Sequence, residues 1–412
     1  MALYTDTYSV NPIFAAPMKI MFVANRVPYP PYRGDKLKIW NLAKRLSGDH
    51  ELHLFTIAQD RKELEYAEHL KTLFKEVHIV YLPKWKSVLK TAMAVFGKIP
   101  FQVAYFQSKS FSNLLQKAIS ENDFDAIHIQ HIRMGWYFRN LPKHSAVLDL
   151  PDAFSLYWTR RTEQTGLPWL KWFASVEQKR LFNMESQYLR QFPLTLVCSE
   201  EDKQYLEIHS NANIQVLPNG VDTAVFYPRK NQQPEPFRVL FTGNMDYAPN
   251  VDAVEYFCND LLPEILRVHP KTKFVIAGQR PVKKVKKLAS DCVSVTGFVK
   301  DIAEEYAKAA VVVAPLRFGA GTQNKVLEAL AMGIPVVCTK VGFKGLGIGN
   351  GEGAYMAHDS MSFIQEVNRL LESEANREKM AGKGIQKIVS TFSWDAVAAK
   401  LIGYLKSVKI QP

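Results

Sequence analysis

Acidic side chains are absent from the whole stretch Lys84 to Phe111. The full chain is also short of them, with 40 Asp and Glu against 52 Lys and Arg and a formal net charge of +12. Cysteine is scarce. Cys198, Cys258, Cys292 and Cys338 stand far apart and form no CxxC pair, which argues against a disulfide framework or a zinc site and for a reducing compartment. No apolar run approaches the ~20 residues that cross a bilayer, so the expectation is a soluble or peripheral protein. The opening MALYTDTYSVNPIFAAP lacks the basic start and apolar core of a signal peptide, and residues 1–17 read as a loose extension. There is no low-complexity tract, zinc finger or RNA-binding aromatic motif, so nucleic acid is not the expected partner. The excess positive charge points instead to phosphates or an anionic membrane surface.

What is present is an ordinary globular composition, 47% hydrophobic and 22% charged over 412 residues, enough for two or three domains with sizeable cores. The organising stretch is Val311 to Thr339, VVVAPLRFGAGTQNKVLEALAMGIPVVCT. VVVAPL has the β-branched run of a buried parallel strand. A loop with Gly319 and Gly321 follows. Thr322 is placed to cap a helix whose apolar face is Val326, Leu327, Leu330 and Ala331. Gly333 ends that helix, and Ile334 to Cys338 is a second strand. Lys325 and Glu328, three apart, share a helix face within its first two turns. A helix start with a lysine suits a phosphate, and a carboxylate one turn deeper suits a pair of sugar hydroxyls. The same spacing fits a plain crossover whose polar residues face water.

The pattern recurs along the chain. KIMFVAN (19–25) is a strand, followed by the proline-rich loop PYPPYRGDK and a helix from Lys36 to Leu46, with Gly34, Asp35 and Lys36 where a phosphate or sugar could rest. ELHLFTI and VHIVYLP read as further strands. DAIHIQ (125–130) places His128 and Gln130 on one strand face, with His131 and Arg133 at the strand end, where functional groups gather in such folds. Ala146 to Leu150 leads to Asp149 and Asp152, and a long, partly aromatic helical region runs to Arg190. LPNGVD makes a turn with Asn219 and Gly220 suited to positive φ. KNQQPEP (230–236) reads as a linker. FRVLFTG, FVIAG and VSVTG are strands ending in glycine, at Gly243, Gly278 and Gly297, and SWDAVAAKLIGYLKSVK is an amphipathic helix. One pattern used twice implies two Rossmann-like domains facing each other across a cleft.

In Lys84 to Phe111, lysines are interspersed with Trp85, Val88, Leu89, Phe96 and Phe101. The apolar half is expected to pack on its own domain, and the basic half to meet anionic lipid heads.

PYRGDK, DAIHIQ, LPNGVDTAVF, VLFTGNM, FVIAG, VTGFVKD, NKVLEALAMGIPVV and the closing FSW together resemble glycosyltransferase family 4, retaining enzymes of the GT-B fold. The NKVLEALAMGIPVV and TGNMDYAPNVDAV forms are most similar to bacterial sugar transferases of exopolysaccharide systems. The resemblance implies an α/β chain with an acceptor domain over 18–229, a linker over 230–236 and a donor domain over 237–392. The helix of 393–412 would pack back on the first domain. It implies a nucleotide-diphosphate-sugar donor, a glycan or lipid-linked acceptor, no cofactor and no metal, in line with the lack of a clear Asp-x-Asp metal site. It also implies a cytoplasmic place, peripheral on the inner face of the plasma membrane. The candidate catalytic set is His128, His131, Arg317, Lys325 and Glu328, with Arg317, Arg280 and Lys325 put forward for the pyrophosphate charge because the family's cation pair is missing. The implied donor contacts are Gly34, Asn219, Gly243, Arg280, Phe298, Val299, Gly319, Gly321, Thr322 and Glu328. Three departures stand out: Ala320 where the family often has an acid, Asn244 and Pro249 where it has a cation pair, and Gln130 where it has a second histidine. A sugar-nucleotide epimerase and a non-catalytic nucleotide-sugar-binding homologue are the alternative readings.

Overall fold

The computed structural model describes residues 16–141, 145–164, 168–208, 210–229, 232–319 and 323–408. The first sheet is formed by β1 (Lys19–Ala24), β2 (Glu51–Ala58), β3 (Glu76–Tyr81), β4 (Ala126–Gln130), β5 (Ala146–Leu150), β6 (Leu194–Val197) and β7 (Ile214–Val216). Their spatial order is β3-β2-β1-β4-β5-β6-β7. The second sheet is formed by β8 (Arg238–Thr242), β9 (Lys273–Ala277), β10 (Val293–Gly297), β11 (Val311–Ala314), β12 (Val336–Thr339) and β13 (Ala354–Ala357), in the order β10-β9-β8-β11-β12-β13. Every pairing between these strands is parallel. A parallel neighbour requires a crossover, and helices supply it and cover both faces. Alternation along β1 divides the core accordingly. Met21 and Val23 pack on one side, and Ile20, Phe22 and Ala24 on the other.

The Trp394–Val408 helix follows the second sheet in sequence but belongs to the first in space. Trp394, Val397, Leu401 and Leu405 pack with Ile39, Leu42 and Val147. The chain therefore passes twice between the sheets, and the two passages touch. Val221 N–H donates to Phe392 C=O at 2.7 Å, and Trp394 N–H donates to Val221 C=O at 3.2 Å. Arg45 fastens the junction to the first domain, pairing with Asp222 at 3.0 Å and Asp395 at 3.7 Å. The sequence expectation of positive φ at Asn219 and Gly220 is corrected here, since neither residue has it. Gly220 is required for space, because a Cβ there would lie 2.5 Å from the Trp394 indole.

Beneath the first domain's strand ends lies a buried polar cluster. Lys38 Nζ donates to Asp149 Oδ1 at 2.8 Å, to Leu217 C=O at 3.0 Å and to Cys198 Sγ at 3.7 Å. His128 Nε2 lies 3.0 Å from the other oxygen of Asp149, and its ring packs against Phe22. Burial alone would raise the Asp149 carboxyl, but Lys38 and His128 outweigh it and hold the group below its usual range. Burial would lower Lys38, and Asp149 with Cys198 outweighs that in turn.

Lys38→Met, which leaves Asp149 buried without its cation, should cost about 3–5 kcal/mol in urea unfolding. A depressed carboxylate stabilises above its unfolded pKa of about 3.9, and a raised lysine below about 10.4. The gap between wild type and Lys38→Met should therefore be flat across neutral pH and shrink on acidification below about pH 4. Gly220→Ala should cost about 1–3 kcal/mol by overpacking against Trp394, measured in the same titration.

Candidate functional site

The C-terminal ends of the first sheet's strands open into a cleft of about 1080 Å³, whose far wall comes from the loops after β8 and β9. The Gly34–Leu46 helix starts at its rim, two residues earlier than the sequence indicates. A Cβ on Gly34 would meet nothing within 4 Å, so its missing side chain leaves open space at a helix N-terminus. Arg26 Nη1 donates to Asp35 at 2.8 Å, Gln130 Nε2 donates to the Asp35 carbonyl at 2.8 Å, and Lys36 pairs with Glu63 at 3.1 Å. These contacts brace the proline-rich loop against β4. Eight lysine and arginine side chains line the cleft against five carboxylates, which favours an anionic ligand.

The two histidines separate. His128 is fully buried with Asp149 and Phe22 and does not line the cleft. Residues on a buried strand interior point into the core, whichever chemistry they could perform. His131 does line the cleft. Its φ of 83° turns the chain out of β4, its ring stacks on Phe154 at 4.3 Å, and its Nδ1 accepts from Arg133 N–H. Burial, then Arg133 and Arg26, push its pKa well below the usual value, so it is neutral at pH 7.

Asp152, just past β5, is half-buried on the cleft wall, and burial with nearby Asp202 pushes its pKa up to about 8. At pH 7 it therefore carries a proton that it can donate in a hydrogen bond. Arg26, Arg33, Arg133, Asp152, Tyr157, Trp158 and Tyr247 all line the cleft but fall outside the set proposed from sequence. Position after a parallel strand's C-terminal end was the available signal for Arg26, Arg133 and Asp152. Asn219 also lines the cleft.

On the second domain, β8 and β9 end in Gly243 (φ 154°) and Gly278 (φ 153°). A Cβ on Gly278 would fall 1.7 Å from Gly243 O, so this close approach excludes any side chain. Asn244, Gln279 and Arg280 follow these turns into the cleft. Gln279 Nε2 donates to Asn244 Oδ1 at 2.9 Å, and Asn244 Nδ2 reaches Tyr32 C=O across the cleft at 3.5 Å. Arg280, at φ 58°, is exposed and sits 3.6 Å from Asp246.

Behind this wall is the Asn324–Ala331 helix. Lys325 is buried, which excludes the reading in which it faces water. Its Nζ donates to Asn250 Oδ1 at 3.1 Å and lies 5.0 Å from the Phe241 ring centre, and Asn250 Nδ2 donates to Asn244 C=O at 3.0 Å. Asn250, unnoticed in the sequence, thus links Lys325 to the cleft wall. Burial pushes Lys325 down to about 8, with Glu328 opposing. Partly buried Glu328 accepts a 2.8 Å hydrogen bond from the Tyr306 hydroxyl, which also pairs with Thr242 Oγ1 at 2.6 Å. Burial raises the Glu328 pKa, against the Tyr306 bond and Lys325.

Arg317 departs from expectation. It makes a fork-like pair with Asp252 and lies over Tyr256, and it is not a lining residue of the cleft. A carboxylate 65 positions earlier already occupies its guanidinium. Phe298 is exposed at the end of β10, while Val299 packs against the core, and neither lines the cleft. Gly319 has φ 145° and lies 3.9 Å, by its Cβ direction, from Pro249. Ala320, Gly321 and Thr322 lie outside the described residues, and the helix N-cap is Gln323, which makes no side-chain cap bond. Among the described residues, no group of three or more His, Cys, Asp or Glu is placed to hold a metal ion.

Comparison with known proteins agrees with this geometry. Residues 39–225 match the family model Glycosyltransferase Family 4, and residues 236–373 match Glycosyl transferases group 1. The glycogen synthase of Mycobacterium tuberculosis is 25% identical over 270 residues, which are 61% of this chain and 61% of that protein. The chain thus spans about six-tenths of that relative's length. MMP alpha-(1->4)-mannosyltransferase of Mycolicibacterium hassiacum is 24% identical over 365 residues, covering 82% of this chain and 84% of its own. The crystal structure of Anabaena HepE in complex with UDP superposes with a TM-score of 0.67 at 15% identity, over 95% of this chain and 100% of that one. The chain accordingly has the GT-B fold of two-domain glycosyltransferases, with a family 4 domain ahead of a group 1 domain.

Proposed function

We propose that this protein transfers a sugar from a nucleotide diphosphate donor to a glycan acceptor, with retention of configuration and without a metal ion. The observation that carries this reading is the cation-rich cleft between two Rossmann-like domains, with a helix N-terminus at one wall and the Lys325–Glu328 pair behind the other. A transferase must hold an anionic diphosphate and admit an acceptor from the opposite side, and the cleft has both walls. In the retaining chemistry associated with family 4, the acceptor attacks from the front side and the departing phosphate assists removal of its proton. The protein then mainly positions the partners and stabilises charge on the leaving diphosphate.

Arg317 is occupied by Asp252, so the charge falls to Lys325, Arg280 and the first-domain arginines around Gly34. Glu328 would take the ribose hydroxyls with the oxygen that Tyr306 leaves open. Neutral His131 and protonated Asp152 would orient acceptor hydroxyls. The donor reading is supported by the UDP and UDP-glucose complexes solved for HepE. The acceptor is proposed to be a lipid-linked glycan of exopolysaccharide or other cell-surface polysaccharide synthesis, met on the inner face of the plasma membrane from the cytoplasm. No helix among the described residues is long and apolar enough to cross a membrane, so lipid would be reached from the surface.

A thermal-shift screen against UDP-, GDP- and ADP-sugars tests the donor. One nucleotide should raise the melting temperature, by an amount that grows with the logarithm of its concentration over its Kd, and no shift with any of them removes the reading. Lys325→Ala should keep the fold and lose roughly a hundredfold in turnover, about 3 kcal/mol of barrier. Near-normal turnover would take Lys325 out of the site. Because Lys325 loses its proton above about pH 8, affinity for the nucleotide diphosphate should fall as pH rises through that value. Lys325→Ala should flatten this profile.

A further inference from the structure

The Lys84–Met93 helix is inverted with respect to its own domain. Helical spacing aligns Trp85, Val88, Leu89, Met93 and Phe96 in one stripe, and such stripes normally face the core. Here the polar face is inside. Ser87 is fully buried and accepts from Gln59 Nε2 at 3.3 Å, while Lys90 Nζ donates to the Gln107 carbonyl. The apolar stripe faces out, with Trp85 65%, Val88 60% and Phe96 96% exposed. The expectation that the apolar half would pack on its own domain is therefore overturned, because Ser87 and Lys90 already fill the inner side.

A second element extends the surface. Phe173 of the Pro168–Gln191 helix stacks on Phe101 at 4.8 Å, Glu177 accepts from Phe101 N–H at 2.6 Å, and Arg180 donates to the carbonyls of Ala94, Val95 and Ile99. These three residues share one helix face. Trp169 continues that face one turn further on, and it is 66% exposed, with neighbouring Trp172 59% exposed.

We propose that this two-helix surface docks on an anionic lipid bilayer and holds the cleft mouth at the membrane, a reading that rests on the transfer reaction proposed above and names where its acceptor is met. Charge chooses the occupant. No acidic residue occurs between Glu76 and Glu121, and Lys84, Lys86 and Lys98 flank the stripe. An apolar helix face with lysines beside it and tryptophans at its edge matches a headgroup boundary, where rings bury and ammonium groups meet phosphates. Lys84 belongs both to the helix start and to the cleft wall, so a bilayer on this surface adjoins the opening.

The test is co-sedimentation of the full-length protein with phosphatidylcholine vesicles, with and without phosphatidylglycerol. Wild type should bind the anionic vesicles, blue-shift its tryptophan emission and release in high salt. Leu89→Glu/Phe96→Glu should lose about tenfold or more in partitioning, and Trp169→Ala/Trp172→Ala should lose part of the binding and of the blue shift. All four positions are exposed, so melting temperature and nucleotide-sugar stabilisation should not change. Failure to sediment with anionic vesicles at low salt overturns the proposal. So does self-association abolished by Leu89→Glu/Phe96→Glu without vesicle binding, which gives the surface to a second copy. Vesicle binding without stabilisation by any nucleotide-sugar upholds the docking surface and removes only the transfer reading.

Discussion

One buried ion pair, Lys38 with Asp149, sets the geometry on which the first wall of the cleft depends. Lys38 sits one turn into the helix that begins at Gly34, and Asp149 is the penultimate residue of β5. The same ammonium also reaches the carbonyl of Leu217, just before the passage to the second domain. Helix start, sheet and passage are thus referred to a single charged atom. Removing two charges from water is expensive, and hydrophobic replacements of both can be as stable or more so. The pair is better understood as a device of register. It selects one rotation of the helix, the one that brings Gly34 and Asp35 to the rim and lets Gln130 hold the Asp35 carbonyl.

The second wall is arranged differently. Apart from exposed Arg280, its cation Lys325 is buried behind the wall and linked to it through amides. Lys325 bonds Asn250, Asn250 bonds the backbone of Asn244, and the Asn244 side chain touches Tyr32 on the opposite domain. A cation that is already desolvated in the unliganded protein interacts strongly with an arriving anion, since water has been removed around it. The family resemblance implies a cation pair at Asn244 and Pro249, where this chain has none, and the exposed positive groups concentrate on the first domain's rim. Anion affinity in such an arrangement depends on the two domains being together.

Much of the architecture is legible from composition and period. Strands such as VVVA and KIMFVA are buried on both faces, so they are unbroken apolar runs, and glycines at their ends mark the turns. The legible part of the site is what lies on one element, as Lys325 and Glu328 do. What depends on distant partners is not. Nothing near Arg317 announces that Asp252 will take its guanidinium, and nothing near Gly220 announces Trp394, which arrives 174 positions later and makes glycine a matter of space instead of backbone angle. His128 and His131 differ by three residues, yet one ends in the core and the other in the cleft, because the chain leaves the strand between them at an unusual φ. Periodicity also locates a helical stripe without giving its direction, which is why the outward face of the Lys84–Met93 helix emerges only in three dimensions.

The Trp394–Val408 helix carries a consequence for how the protein is made. It supplies Trp394, Leu401 and Leu405 to a core whose members outside this helix lie between Met18 and Leu217. A ribosome that has released both strands and helices of the first domain has not yet supplied its last layer. That sheet face stays open while the whole second domain is synthesised and folds. The nascent chain therefore carries an exposed apolar surface throughout synthesis of the second domain, the kind of intermediate that chaperones hold. The half that is made first is the half that is finished last.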